Sequence, residues 1–357
     1  MRSCLKFFRV LLLLCSSCAV HPVFAIDLPG IPEFIDEMVV KHHFKRAELE
    51  KAFDRAQFVP AVIDAISRPA TSRPWVDYRA SFVNPERIRL GVKFWNKYRR
   101  ALQYAERKYG VPQEIILGVI GVETVYGRNA GTFRILDALT TLAFAYPPRA
   151  DYFRSELENF LLLAREQQLD LLSVRGSYAG ALGIPQFMPS SYRAIAVDAN
   201  GNRRIDLMHE TSDAIYSVAN YLKQYGWDSS LHSDTGEVHG KGKQTPVAVP
   251  VKVSVSVCVG EIITPRPVSA WMEAGITAEA GLEYVEDATA RLVDFTVEDG
   301  KEFWLVFSNF DVIKSYNNSD YYAMTVLQLA EAVREARSAN SRDKPRFNPA
   351  VGTRVKM

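Results

Sequence analysis

The stretch GVIGVETVYGR, residues 118–128, sets one carboxylate, Glu123, among Val119, Ile120, Val122 and Val125. On a helix its neighbours one turn back are Val119 and Ile120, with Ile116 a turn further, so the acid shares the apolar face. It stands in the last turn before Gly127, where the negative end of the helix dipole disfavours a carboxylate. Burial and dipole both raise its pKa and keep a proton available near neutrality, the setting of a general acid. The plainer alternative is a helix-end glutamate paired with Arg128 or another base.

Three further stretches carry chemistry. In GSYAGALGIPQFMPSSY, residues 176–192, glycines at 176, 180 and 183 permit close backbone approach. Ser177, Gln186 and Ser190 offer neutral hydrogen-bonding groups, and Tyr178, Phe187 and Tyr192 offer flat apolar faces. That mixture suits sugar rings, or equally a structural turn between helices. In DANGNRRID, Asp198, Asn200 and Asn202 match positions 1, 3 and 5 of a calcium loop, but Arg203 stands where glycine is usual and His209 where a bidentate glutamate would sit. Asp213 and the Arg204 carbonyl would complete an enlarged loop; the alternative is a metal-free Asx turn. In KSYNNSDYYAM, residues 314–324, Tyr316, Tyr321 and Tyr322 surround Asn317 and Asn318, as a groove wall or simply a helix start.

Elements that position these residues follow from periodicity. Residues 26–104 read as helical, with PEFIDEMVVKH and VKFWNKYRRALQYAERKYG repeating apolar residues at three and four. Pro112 suits the first turn of a new helix over 113–126, with Glu114 near its positive end. Helices are also predicted at 150–168 and 211–225. After Trp227 the chain turns polar, and then valine occupies every odd position from 247 to 259, a period of two that only a strand explains. Pro250 cannot donate to a ladder and places that part on an edge or bend. With EFWLVFSNFDVI as a second strand-like run, residues 241–312 read as a small β domain inserted in a helical protein. Helical pattern returns over 313–337 and rejoins the α core, and the basic tail 338–357 reads as mobile.

Bulk properties limit the partners. The 357 residues are 48% hydrophobic, a globular composition. The first 25 combine Arg2, Lys6 and Arg9 with the run Val10–Leu14 and end in Val23-Phe24-Ala25, a secretory leader cleaved after Ala25. A lipoprotein reading competes, with Cys18 as the anchor. Cys4, Cys15 and Cys18 fall in the leader, leaving Cys258 alone and no disulfide framework in the soluble form. Without the leader's three cations the formal charge of +2 becomes about −1, which argues against nucleic acid as a partner.

YGVPQEIILGVIGVETVYGR, RILDALTTLAF, RADYFRSELENFLLLARE, SYAGALGIPQFMPSSY, SVANYLKQYGW and YNNSDYYAMTVLQLA together resemble the lytic transglycosylases of the membrane-bound lytic murein transglycosylase B type, over residues 75–335. The resemblance implies a mainly α protein with a small inserted β domain: a helical N-terminal domain and a lysozyme-like catalytic core over 105–240. It implies cleavage of the β-1,4 bond between N-acetylmuramic acid and N-acetylglucosamine with a 1,6-anhydro product, and Glu123 as the single catalytic acid, then base. Ser177, Gln186, Tyr221, Tyr316, Asn317, Tyr322, Tyr78 and Tyr152 match the family's groove residues. No cofactor is needed for the chemistry, and a structural calcium would sit on Asp198, Asn200, Asn202, Arg204 and Asp213. Asp137, in RILDALTTL, reads as a local structural acid. Peptidoglycan strands are the expected partner, with cell-wall synthesis or division proteins as further ones, in a periplasmic or outer-membrane-anchored setting. A hydrolytic muramidase and a non-catalytic peptidoglycan-binding scaffold are the competing functions.

Overall fold

The computed structural model describes residues 28–68, 73–229, 245–253, 264–278 and 287–342. The leader, all four cysteines and the second half of the valine run lie outside the described residues.

Six helices precede the segment that carries Glu123: α1 (Ile31–His42), α2 (Arg46–Phe53), α3 (Pro60–Ile66), α4 (Trp75–Phe82), α5 (Pro85–Lys97) and α6 (Arg99–Tyr109). α5 starts cleanly because the Asn84 side chain accepts from the Arg87 amide and Pro85 takes the first helical position. α7 (Gln113–Thr124) is apolar all round, every residue from Ile115 to Val122 being buried, as in a helix enclosed by others. Pro112 caps it rather than entering its first turn, and it ends two residues earlier than expected.

The middle of the chain supplies β1 (Phe133–Arg134), α8 (Ile135–Ala145), α9 (Ala150–Gln167), β2 (Arg175–Gly176), α10 (Pro189–Ile195) and α11 (Thr211–Gln224). β1 and β2 pair antiparallel, with Phe133 opposite Gly176, and so pin the glycine-rich turn beside the start of α8.

Next come β3 (Ala248–Val253), β4 (Arg266–Pro267), α12 (Val268–Glu273), β5 (Ile276–Thr277), β6 (Thr289–Val297) and β7 (Gly300–Val306), forming an antiparallel sheet of order β4-β6-β7-β3-β5. Register separates the two faces. Leu292, Leu305, Val249 and Val251 join Trp271 and Ile276 in a small separate core, whereas Val293, Phe295 and Val306 pack into the main helical core. Pro250 lies opposite Trp304, and β5 pairs only with Lys252 and Val253, so at Pro250 β3 has just one neighbour and loses no ladder bond.

α13 (Ser308–Lys314) and α14 (Asp320–Arg342) close the fold. The run EFWLVFSNFDVI is therefore strand only to Val306. Its second half buries Asn309, Phe310, Val312 and Ile313, a helical spacing that the apolar run conceals. α14 runs five residues past the expected end at 337. It presses on α7 so closely that a Cβ on Gly118 would lie 2.7 Å from the Val326 carbonyl. The whole is mainly helical with a small β insertion, as the sequence predicts.

Candidate active site

α7 delivers Glu123 to the floor of a groove of about 630 Å³. Its walls come from four places: Arg149, Tyr152 and Phe153 at the start of α9; Ser177, Tyr178, Ala179 and Ala181 in the glycine-rich turn; Gln186 and Met188 after it; and Ser315, Tyr316, Asn317 and Asn318 between α13 and α14. Glu123 is the sole carboxylate among these lining residues.

Among the described residues one hydrogen bond reaches its carboxyl: the Tyr322 hydroxyl donates to Oε1 at 2.7 Å. Arg128 does not pair with it, lying instead 3.5 Å from Glu86. Burial raises the Glu123 pKa from 4.5 to about 7, against the Tyr322 hydrogen bond, which lowers it. The net change is worth about 3 kcal/mol of resistance to ionisation. Burial and then the nearby Glu123 charge push Tyr322 and Tyr316 well above the usual phenol value, so both remain donors.

Tyrosines form part of the wall and the framework behind it. Tyr316 donates to the Pro185 carbonyl at 2.6 Å and stacks parallel to Tyr322, with centroids 6.1 Å apart. Tyr221 is buried, donates to the Ser315 carbonyl at 3.1 Å and stacks on Tyr225. Tyr78 is buried against Trp75, Phe82 and Tyr321, and burial followed by the Glu123 charge pushes it up to about 12. Of the eight residues expected in the groove, Ser177, Gln186, Tyr316, Asn317 and Tyr152 line it, whereas Tyr322, Tyr221 and Tyr78 stand behind it.

The glycine-rich turn divides in the same way. Ser177 Oγ accepts from the Ala181 amide at 3.0 Å, and Gln186 donates to the Ala130 and Gly183 carbonyls from a left-handed backbone, φ 53°. Gly180, at φ 89°, has no room for a Cβ, which would lie 2.3 Å from Leu139. Ser190 points the other way, its amide and hydroxyl donating to buried Glu156. Phe187 and Tyr192 are likewise buried, with Tyr192 donating to the Ile205 carbonyl, so Tyr178 is the aromatic of the three that reaches the groove. The sequence pattern missed Arg149, the cation in the wall, which rests over Tyr152 and Phe153. Its neighbourhood with Glu123 is purely tertiary.

Helix α7 ends abruptly. Val125, Tyr126 and Gly127 are all left-handed, with φ of 51°, 62° and 84°. For Val125, a β-branched residue, and Tyr126 this conformation costs about 1–3 kcal/mol each. The chain thereby turns away directly after the acid.

The loop after α10 has the donor chemistry of a cation site. Asp198 accepts from the Asn200, Gly201 and Arg203 amides, Asn200 from Asn202, and Asn202 from Arg204. Arg203 adopts the left-handed backbone, φ 66°, that glycine usually provides in such loops. Asp213 is fully buried and, among the described residues, accepts from the Ala199 and Asp206 amides; burial raises its pKa against these two bonds, with the Asp198 and Glu210 charges adding to the rise. Neither Asp198 nor Asp213 has a cationic partner among the described residues. Two unneutralised carboxylates, two amide oxygens and the Arg204 carbonyl are a hard, all-oxygen set that fits calcium. Among the described residues, no three His, Cys, Asp or Glu side chains group as a metal site, so the fit depends on the amide and carbonyl oxygens. No described helix is long and apolar enough to cross a membrane.

A family model described as Transglycosylase SLT domain matches residues 29–331. The membrane-bound lytic murein transglycosylase B of Escherichia coli K12 is 42% identical over 319 residues, covering 87% of this chain and 84% of that protein. The crystal structure of the E. coli lytic transglycosylase Slt35 in complex with calcium matches with a TM-score of 0.77 at 41% identity, covering 87% of this chain and 95% of that one. The SltB3 structure from Pseudomonas aeruginosa in complex with NAG-NAM-pentapeptide matches at 0.74 and 26% identity, covering 85% and 78%.

Proposed function

The chain belongs to the transglycosylase SLT domain family, whose members here are peptidoglycan-cleaving lytic transglycosylases, and from that premise we propose that Glu123 alone carries the proton in both halves of the reaction. One observation carries this reading: among the described residues Glu123 is the single carboxylate lining the groove, and burial holds its proton to about pH 7.

The steps balance without a second acid or a water. Protonated Glu123 gives its proton to the oxygen joining muramic C1 to the next N-acetylglucosamine, and that C–O bond breaks toward an oxocarbenium-like C1. The carboxylate left behind takes the proton of the same sugar's C6 hydroxyl as the C6 oxygen bonds to C1. A 1,6-anhydro end forms and Glu123 is protonated again. Most glycosidases place a second carboxylate opposite the first; the described lining residues offer none, and the C6 hydroxyl of the substrate takes its place. Ser177 and Asn317 are assigned to the N-acetyl region, Gln186 and Tyr152 to ring hydroxyls and faces. Tyr316, Tyr322, Tyr221 and Tyr78 hold the wall and the acid.

Calcium would be held by Asp198, Asn200, Asn202, Asp213 and the Arg204 carbonyl, neutralising the buried Asp213 and fastening the loop that leads into α11. It has no part in bond cleavage. The envelope is the proposed location, with the chain either freed after Ala25 or anchored at Cys18, both outside the described residues.

The test is product analysis of digested peptidoglycan by mass spectrometry, wild type beside Glu123→Gln. The expected result is anhydro ends from the wild type and none from the variant, which still binds glycan. Ends heavier by one water would instead establish a muramidase, and turnover by the Gln variant would remove Glu123 from its role.

A further inference from the structure

Among the described residues the Glu123 carboxyl accepts one hydrogen bond, from Tyr322, so the backbone behind it has a large share in fixing its direction. Arg87, on α5, brings Nη1 to the carbonyls of Gly121 at 2.8 Å and Val122 at 3.2 Å, the two residues immediately before the acid. On the other side, the Thr124 hydroxyl donates to the Ile184 carbonyl at 2.8 Å and accepts from the Gly127 amide at 2.9 Å.

Between these anchors Tyr126 fills a slot made by the absence of two side chains. A Cβ on Gly91 of α5 would lie 2.5 Å from the Tyr126 hydroxyl, and one on Gly121 of α7 would lie 2.7 Å from it. Phe94 meets the ring at 5.4 Å. The hydroxyl is buried and has no hydrogen-bond partner among the described residues, so shape seats the ring. Neither Arg87 nor Tyr126 lines the groove.

We propose that Arg87, together with Tyr126 in its Gly91–Gly121 slot, is a lock that aims the catalytic carboxyl at the groove and at Tyr322. It deepens the reading of Glu123 as the acid and rests on it. Arg87 is a positioning residue, and three physical facts assign the role. A single guanidinium nitrogen, Nη1, holds two successive carbonyls at once, and the planar, always-charged group is pre-organised for this where a flexible ammonium is not. Its charge opposes the negative end of α7. The left-handed stretch Val125–Gly127 is adopted only under constraint, and Arg87, Tyr126 and Thr124 supply that constraint. A displacement of about 1 Å in a reacting group costs about 100-fold in rate, which gives the lock its leverage.

The experiment measures anhydro-product release from purified peptidoglycan. For Arg87→Gln, kcat falls about 10- to 100-fold while KM stays within about twofold and the alkaline limb of the pH profile does not move. Arg87→Lys recovers part of the loss. Gly91→Ala, whose methyl would lie 2.5 Å from the Tyr126 hydroxyl and 2.6 Å from Val333 Cγ2, also lowers kcat, and Gly91→Ala/Tyr126→Phe/Val333→Ala recovers part of the loss by removing both obstructions. A folded Arg87→Gln protein with kcat within about twofold of wild type, or a loss wholly in KM, overturns the lock. If Arg87→Gln does not fold, the Gly91 variants decide: a triple variant no better than Gly91→Ala overturns it. Glu123→Gln separates the two proposals, because an active Gln variant refutes the acid, whereas an inactive one beside a normal Arg87→Gln refutes only the lock.

Discussion

Buried acids occur in two kinds of place in this molecule, and their partners differ. Asp137 on α8 is 5% exposed, accepts from the Gln57 amide at 3.0 Å and pairs with Arg134 at 2.7 Å. Glu156 on α9 is 4% exposed and accepts twice from Ser190. Glu123 has a single neutral donor and a groove in front of it. Burial alone therefore does not mark a working acid. What marks it is that the fold withholds the donors that would hold it ionised, while leaving it within reach of a ligand.

The sharpest way to break the contrast is to remove one acid of each kind. Glu123→Gln should lower turnover by about 10³-fold or more while leaving the protein folded. Asp137→Ala should leave kcat/KM near normal in the folded protein and cost about 3–5 kcal/mol in denaturant unfolding, because Arg134 is stranded in a largely buried site. Loss of activity in folded Asp137→Ala, or an active Glu123→Gln, would merge the two classes.

The next effect concerns stability and pH. Folded Glu123 keeps its proton to about pH 7, whereas a free glutamate releases it near 4.5. The folded state thus binds more protons between those values, and wild-type stability falls as pH rises through them. Glu123→Gln escapes that loss, so it should be no more stable than wild type near pH 4 and more stable above 7, by up to about 3 kcal/mol. Denaturant titrations at the two pH values would detect it; a difference independent of pH would mean that the acid is not held protonated. The same proton sets activity, so kcat/KM should decline above about pH 7.

Smaller effects sharpen the environment of the acid. Tyr322→Phe removes the one bond that favours the carboxylate, so the alkaline limb should move to higher pH and turnover should fall about 10-fold. Smallest is the loop: millimolar calcium should stabilise the wild type by about 1–2 kcal/mol and Asp213→Asn by much less, as read by calorimetry. No stabilisation of the wild type would remove calcium from the account.

Much of this is legible in the sequence for physical reasons. The apolar period places Glu123 on a buried face, and the alternating valines reveal a sheet whose two faces the structure separates. What stays hidden depends on direction and distance. Ser190, Phe187 and Tyr192 have sugar-binding chemistry, but the turn sends them toward Glu156 and the core. Residues 302–313 read as one strand-like run, yet Phe307 caps a helix and the buried positions beyond it follow helical spacing. The hydroxyl that reaches Glu123 lies 199 residues away, and the Arg87 anchor 34 and 35 residues from its carbonyls, separations that local pattern cannot bridge.

The distance from Glu123 to α14 also has a meaning for the order in which the chain is made. The acid is synthesised long before Tyr322 and before the Tyr316–Asn318 wall. A chain interrupted anywhere between residues 124 and 314 carries the proton donor but neither its partner nor one side of the groove. A wall-cutting centre divided in this way is completed only by the last described helix, so unfinished or clipped copies lack an assembled blade.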